Sequence, residues 1–173
     1  MRLNGRVFEA IAARIDRRDR RDLYHSALIV RVPEGAYVIE QGPVWQNLPL
    51  DRGVVAEGAV GARAAGWFKL FRYEIRCWRD GIFPDIDEAV ESPQRLADDA
   101  AAAERVLYAI RTVPAPIWGR DELKTGEMWN SNSVTSWVIV RSGMDVDSVR
   151  VPARGRAPGW HAGVVLARRA DSA

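Results

Sequence analysis

At 173 residues, with 47% hydrophobic and 28% charged residues, the chain has the make-up of an ordinary globular protein and is long enough to bury a core without staples, which is read as one domain over residues 1–173. Its single cysteine, Cys77, excludes an intramolecular disulfide and a cysteine zinc cluster, and two histidines, His25 and His161, leave little for a histidine metal site, so no metal and no cofactor is expected. The net charge of +2 rests almost wholly on arginine, yet the densest cluster, Arg17-Arg18-Asp19-Arg20-Arg21-Asp22, is broken by aspartates; no nucleic-acid partner is expected, and without a signal core or a run of about 18 apolar residues the protein is expected to be cytoplasmic with no integral membrane segment.

Taken in order, Val7, Phe8, Ile11 and Ile15 recur at helical spacing and predict an amphipathic helix near 7–16. Leu23 to Val32 is rich in strand formers, Pro33-Glu34-Gly35 supplies a turn, and Ala36 to Glu40 resumes the pattern, which predicts a β-hairpin with His25 at its entrance. Val44 to Leu50 reads as loop and Gly53 to Glu57 as a short strand. Gly58, Gly61 and Gly66 lack the flanking pattern of a phosphate loop and read as turns.

Trp67 to Trp78 is the longest strand candidate, because Phe71, Tyr73, Ile75 and Cys77 alternate with Arg72, Glu74 and Arg76. Cys77 falls on the apolar face, where burial raises a thiol's pKa and lowers its reactivity. Asp80 to Asp87 reads as loop and Ser92-Pro93 as a helix entry. A helix over 98–111 is expected from Ala100, Ala103, Leu107 and Ile110, ending at Thr112 to Pro116.

After a polar loop from Ile117 to Glu127, four residues that can cap a helix, Asn130-Ser131-Asn132-Ser133, precede Val134, Trp137, Val138 and Arg141 at helical spacing. Gly143 stands where a left-handed residue would close the turn, so a buried helix begins at or near Ser131. The unpaired N–H groups and dipole of its first turn favour negative charge, which suits a nucleophile or a developing oxyanion; a cap alone explains the same residues. Ser148 to Pro158 reads as irregular, and Trp160 to Leu166 as a closing strand opened by His161.

Tyr24-His25-Ser26-Ala27-Leu28-Ile29-Val30, then Gly35-Ala36-Tyr37-Val38-Ile39-Glu40, then Asn130-Ser131-Asn132-Ser133-Val134 resemble the circularly permuted NlpC/P60-like group of papain-fold proteins, which includes the lecithin retinol acyltransferase-like enzymes. The shared feature is order: a histidine on a first core strand, a polar residue on the next, and a nucleophile at the start of a later buried helix. The resemblance implies an α+β papain-like fold, about five mostly antiparallel strands packed on a central helix that starts near Ser131 and lies against the strand with His25. It also implies His25 as general base, Glu40 (or Gln41, depending on turn parity) as its orienting partner and Ser131 as nucleophile, with Asn130 and Trp129 beside the substrate.

The group uses cysteine where this chain has Ser131, and serine does not ionise at neutral pH, so His25 would have to take its proton during attack. Two functions follow: a hydrolase or acyltransferase on an amide, thioester or ester, its substrate a small-molecule, peptide or lipid acyl group, or an inactive module that binds a partner in the inherited cleft. The seven tryptophans, among them Trp45, Trp118 and Trp129 in loops, suit a groove, although they suit a core as well. A structural protein with no cleft would need only the hairpin and the capped helix.

Overall fold

The computed structural model describes residues 22–44, 51–81, 93–152 and 155–170; the expected helix near 7–16 and most of the two loops at 44–50 and 80–87 lie outside them. The fold is α+β. Its main sheet has four antiparallel strands in the order β2-β3-β5-β4, formed by β2 (Leu28–Val32), β3 (Gly35–Pro43), β4 (Val54–Ala59) and β5 (Arg72–Arg79). A parallel pair, β1 (Asp22–Leu23) with β6 (Gly155–Arg156), stands apart.

The hairpin turn forms as expected, two residues at Pro33-Glu34 set by pairing of Val32 with Gly35, but the hairpin's first strand begins at Leu28 and not at Leu23, so His25 lies outside the paired strand. In that register Leu28, Val30, Ile39 and Gln41 share one face with Tyr73, Ile75 and Cys77 of β5. Against this face lie two helices, α1 (Ala100–Ala109) and α2 (Ser131–Arg141), and a third, α3 (Trp160–Ala170), packs on α2. Val30, Ile39, Tyr73 and Ile75 meet Val106 of α1, Val134, Trp137 and Val138 of α2 and Ala167 of α3 in one core.

Helix α2 is the central helix, with every residue from Ser131 to Ile139 buried. It ends as its sequence indicates: Gly143, at φ 74°, donates its N–H to the Val140 carbonyl, and Met144 donates to that of Ile139 at 3.1 Å. The α1 helix matches the span expected from its spacing, but its cap is Asp99, which accepts from the Ala102 N–H at 2.7 Å, and not the expected entry at Ser92-Pro93, where Pro93 is irregular and Ser92 lies outside the described residues; a 3-10 turn at Ile110–Thr112 extends it.

Two expected elements are corrected. The segment Trp160 to Leu166 is not a strand but the first part of α3. Its Gly163 packs where an added Cβ would lie 2.1 Å from the Ser133 carbonyl oxygen and 2.2 Å from Ser136 Oγ, so the backbones of α3 and α2 cross at close range. The strand expected from Trp67 begins only at Arg72, and 3-10 turns at Arg63–Trp67 and Lys69–Phe71 replace its first part. The reason is pairing: β4 ends at Ala59, opposite Arg72, and beyond one bond from the Val60 N–H to the Phe71 carbonyl no ladder continues among the described residues.

The polar face of β5 is as buried as the apolar one. Arg76 is 0% exposed; its Nη1 donates to Glu40 Oε1 at 3.0 Å, its Nε to Glu74 Oε2 at 3.0 Å and its Nη2 to the Pro43 carbonyl at 3.0 Å. Glu74 also accepts from Arg52 Nε at 2.7 Å. Burial pushes the Glu74 carboxyl up, but the hydrogen bonds from Arg52 and Arg76, with their charges, outweigh it and hold the group below the usual carboxylate range.

Candidate functional site

The N-terminus of α2 is built from its own cap outward. Asn130 is the N-cap: its Oδ1 accepts from the Asn132 N–H at 2.9 Å, while its own N–H donates to Ser133 Oγ at 3.1 Å. Its Nδ2 donates to the Pro158 carbonyl at 2.8 Å, so the Asn130 side chain is spent on structure. Ser133 and Ser136 donate to the carbonyls of Gly159 and Trp160, each at 2.7 Å, which fastens α2 to the start of α3. Glu127 Oε2 in turn accepts from the N–H groups of Gly159 at 2.9 Å and His161 at 3.1 Å, a carboxylate placed on the positive end of α3. His161 is thus an exposed first-turn residue of a helix.

Asn132 joins this cap to the entrance of the hairpin. Its Nδ2 donates to the Tyr24 carbonyl at 3.0 Å and to that of Pro158 at 2.9 Å, and its Oδ1 accepts from Ser26 Oγ at 2.9 Å, 106 residues away in sequence. The Tyr24 N–H donates to the Arg156 carbonyl at 2.8 Å, which continues the β1–β6 pairing. Both neighbours of His25 are therefore pinned at the first turn of α2, and the His25 side chain itself is exposed.

Ser131 is the first residue of α2. It is 7% exposed, its hydroxyl stands outside the cap network, and the sealed, unpartnered polar atoms among the described residues are Gln41 Nε2, Gln41 Oε1 and Trp129 Nε1, so the Ser131 hydroxyl is buried but not wholly sealed. Its backbone N–H, as the first of the helix, also has no hydrogen-bond partner among the described residues.

Glu40 and Gln41 fall on opposite faces of the sheet. Gln41 lies on the face that meets α2, opposite Ile75, and is 5% exposed with neither end of its amide paired. Glu40 lies on the far face, where Arg76 takes its carboxylate. The two-residue turn gives His25 and Glu40 the same parity, but β2 starts at Leu28, so strand alternation does not extend to His25.

Trp129 is core: it is 2% exposed and its backbone bridges that of Trp118. Tyr73 stands edge-on to Trp118, ring centroids 5.6 Å apart, and its hydroxyl donates to the Pro116 carbonyl at 2.6 Å. Burial pushes the Tyr73 phenol up, as does the Glu122 charge, while the neighbouring Trp129 N–H opposes the rise without reaching hydrogen-bond geometry. Cys77 behaves as its position in the sequence indicates, with burial pushing the thiol up to about 11 against a smaller opposite pull from Arg111.

A cavity of about 500 Å³ lies elsewhere, between β4 and the segment 114–117, and two ion pairs, Arg72 with Glu57 and Arg63 with Glu122, stand at it. Neither Ser131 nor His25 lines it. Among the described residues no group of three or more His, Cys, Asp or Glu side chains is placed to hold a metal ion, and no helix is long and apolar enough to cross a membrane. The buried Gln41 amide and the tether from Asn132 are the features that sequence reasoning passed over or held second; an asparagine in a run of cap residues gives no sign that it reaches across the fold. No protein-family model matches the chain, and neither does any curated protein or solved structure.

Proposed function

We propose that the protein is a hydrolase or acyltransferase of the permuted papain-like kind, acting on an amide, thioester or ester through Ser131 and His25. What supports it is the tether: Asn132, next to Ser131, bonds the residues on either side of His25, so a base-bearing segment from one end of the chain meets the N-terminus of the central helix. Ser131 Oγ attacks the acyl carbon as the His25 imidazole takes its proton. The oxyanion that forms is met by the N–H of Ser131 and the positive end of α2. His25 returns the proton to the leaving group, and water or a second acceptor then releases the acyl group from Ser131 by the same base. Gln41, rather than Glu40, is the polar residue of β3 on the face toward α2, and its free amide is the candidate for orienting His25 or for a second oxyanion donor.

The test is intact-mass analysis after incubation with a fluorophosphonate. One adduct is expected on the native chain and none on Ser131→Ala or His25→Ala. An unlabelled native chain, or an adduct that survives Ser131→Ala, overturns the assignment. A binding module with no chemistry is the second proposal, favoured by the separation of the 500 Å³ cavity from Ser131. In that case Ser131→Cys gains thiol reactivity while the native chain stays unlabelled.

A further inference from the structure

The loop between β4 and β5 holds a run of apolar side chains that nothing among the described residues covers: Trp67 is 90% exposed, Phe68 68%, Leu70 62% and Phe71 44%. Four such residues within five positions make a patch, not the scatter that any surface shows. We propose that this loop is a wedge that seats the protein on an anionic lipid bilayer, with the aromatic rings at the level of the headgroups and upper acyl chains. The inference does not depend on the assignment of Ser131 and His25.

Three observations favour a membrane over another occupant. The first is order. The loop is closed at its base, where the Val60 N–H donates to the Phe71 carbonyl at 2.8 Å, and turned by bonds from Ala65 to Ala62 at 3.1 Å, from Phe68 to Ala65 at 3.0 Å and from Phe71 to Phe68 at 2.9 Å. Its backbone is thus partly satisfied from within, as entry into a poorly hydrated layer requires.

The second is charge. From Gly58 to Tyr73 there is no acidic residue, and Lys69 sits exposed in the middle of the apolar run with no ion-pair partner among the described residues. A lysine there extends its stem along the apolar surface and puts its ammonium among lipid phosphates, whereas an apolar protein interface would have to desolvate it. The third is area. At about 150–250 Å² for a wholly exposed aromatic, four partly exposed side chains offer on the order of 500 Å², short of the roughly 800 Å² per partner of a stable protein interface. Insertion of a few rings into lipid has no such threshold.

The full-length chain is to be mixed with large unilamellar vesicles of phosphatidylcholine alone, or with roughly 30 mol% phosphatidylglycerol, and sedimented. Binding is expected on the anionic vesicles and is expected to weaken with salt. Trp67→Ser/Phe68→Ser/Leu70→Ser should lower the partition coefficient more than about tenfold, because losing one buried aromatic alone accounts for such a factor. Lys69→Glu should weaken it several-fold on anionic vesicles and little on neutral ones. Because every altered side chain is exposed, melting temperatures should stay within a degree or two, about the size of a neutral surface change. A native chain that does not sediment with anionic vesicles overturns the proposal, as does a triple variant that binds undiminished. A native dimer that the triple variant abolishes also overturns it, since a second copy would then be the occupant.

Discussion

Replacing Arg76 by methionine should be the most damaging single change on the sheet face opposite the helices. The guanidinium is 0% exposed and donates to Glu40, Glu74 and the Pro43 carbonyl. Methionine fills much of the stem's volume but donates nothing. Glu40, 8% exposed, then keeps a buried negative charge without its partner, while Glu74 still has Arg52. Breaking one side of a buried pair costs about 3–5 kcal/mol, a large share of the roughly 5–15 kcal/mol that holds a domain folded. For a chain of this size the melting temperature should fall by on the order of 10 °C. In urea unfolding followed by circular dichroism, Glu40→Leu/Arg76→Met should lose less than Arg76→Met alone, because removing both charges removes the stranded one. A loss under about 1 kcal/mol for Arg76→Met, or simple additivity in the double variant, would refute the account. Glu40→Gln adds a check on the site: it should lower stability yet leave fluorophosphonate labelling of Ser131 unchanged.

Gly163→Ala usually gains about 1 kcal/mol within a helix, but here its Cβ meets the Ser133 carbonyl at 2.1 Å, so unfolding should show a loss of about 1–3 kcal/mol instead. The Glu74 carboxyl is held low in the folded chain, so its contribution is complete above the ordinary value of 4.5 and is lost as pH falls through the folded value; the urea midpoint should drop between pH 5 and 3, less steeply in Glu74→Gln. With its thiol pushed up to about 11, Cys77 should react with a disulfide reagent at pH 8 far more slowly in the folded chain than in urea, and equal rates would contradict its burial. Asn132→Ala should speed amide exchange at residues 24–26 and lower labelling of Ser131, and unchanged exchange there would show that the tether is not what holds the segment.

What was legible in the sequence is what short-range chemistry decides. The start of α2 is set by Asn130 and Ser133, three residues apart, and its end by Gly143, so both could be placed to within a residue. The hairpin needed only its two-residue turn. Helix α3 was not legible, because its N-terminal carboxylate is Glu127, 32 residues before Gly159, and the merit of Gly163 is the closeness of a different helix. Val164-Val165-Leu166 in isolation favours a strand, and tertiary contact overrides that local preference. The alternation in Trp67 to Trp78 was real from Arg72 on, but a pattern cannot reveal that its partner strand stops at Ala59. Nor can it show that Glu74 and Arg76 find Arg52 and Glu40 and are buried with them.

The division of labour between Glu40 and Gln41 follows from these same contacts. Adjacent residues of a strand face opposite ways, so whichever of the two serves the helix side, the other must serve the far side. Arg76 fixes the outcome: a buried guanidinium needs a carboxylate, and an amide at position 41 on that face would have left it short of charge. With Glu40 committed to Arg76, the residue turned to α2 is a neutral amide, enclosed and unpaired. A buried amide without a partner is costly and therefore uncommon, and the cost is recovered when a substrate atom or an ordered water supplies the missing bonds. The place of greatest polar dissatisfaction in the described fold thus lies on the sheet face that meets α2, the helix whose first turn holds Ser131 and the tethered His25 segment. Gln41→Leu separates the two roles this leaves open. It should raise stability if the amide only sits in the core, and abolish fluorophosphonate labelling if the amide serves the reaction at Ser131.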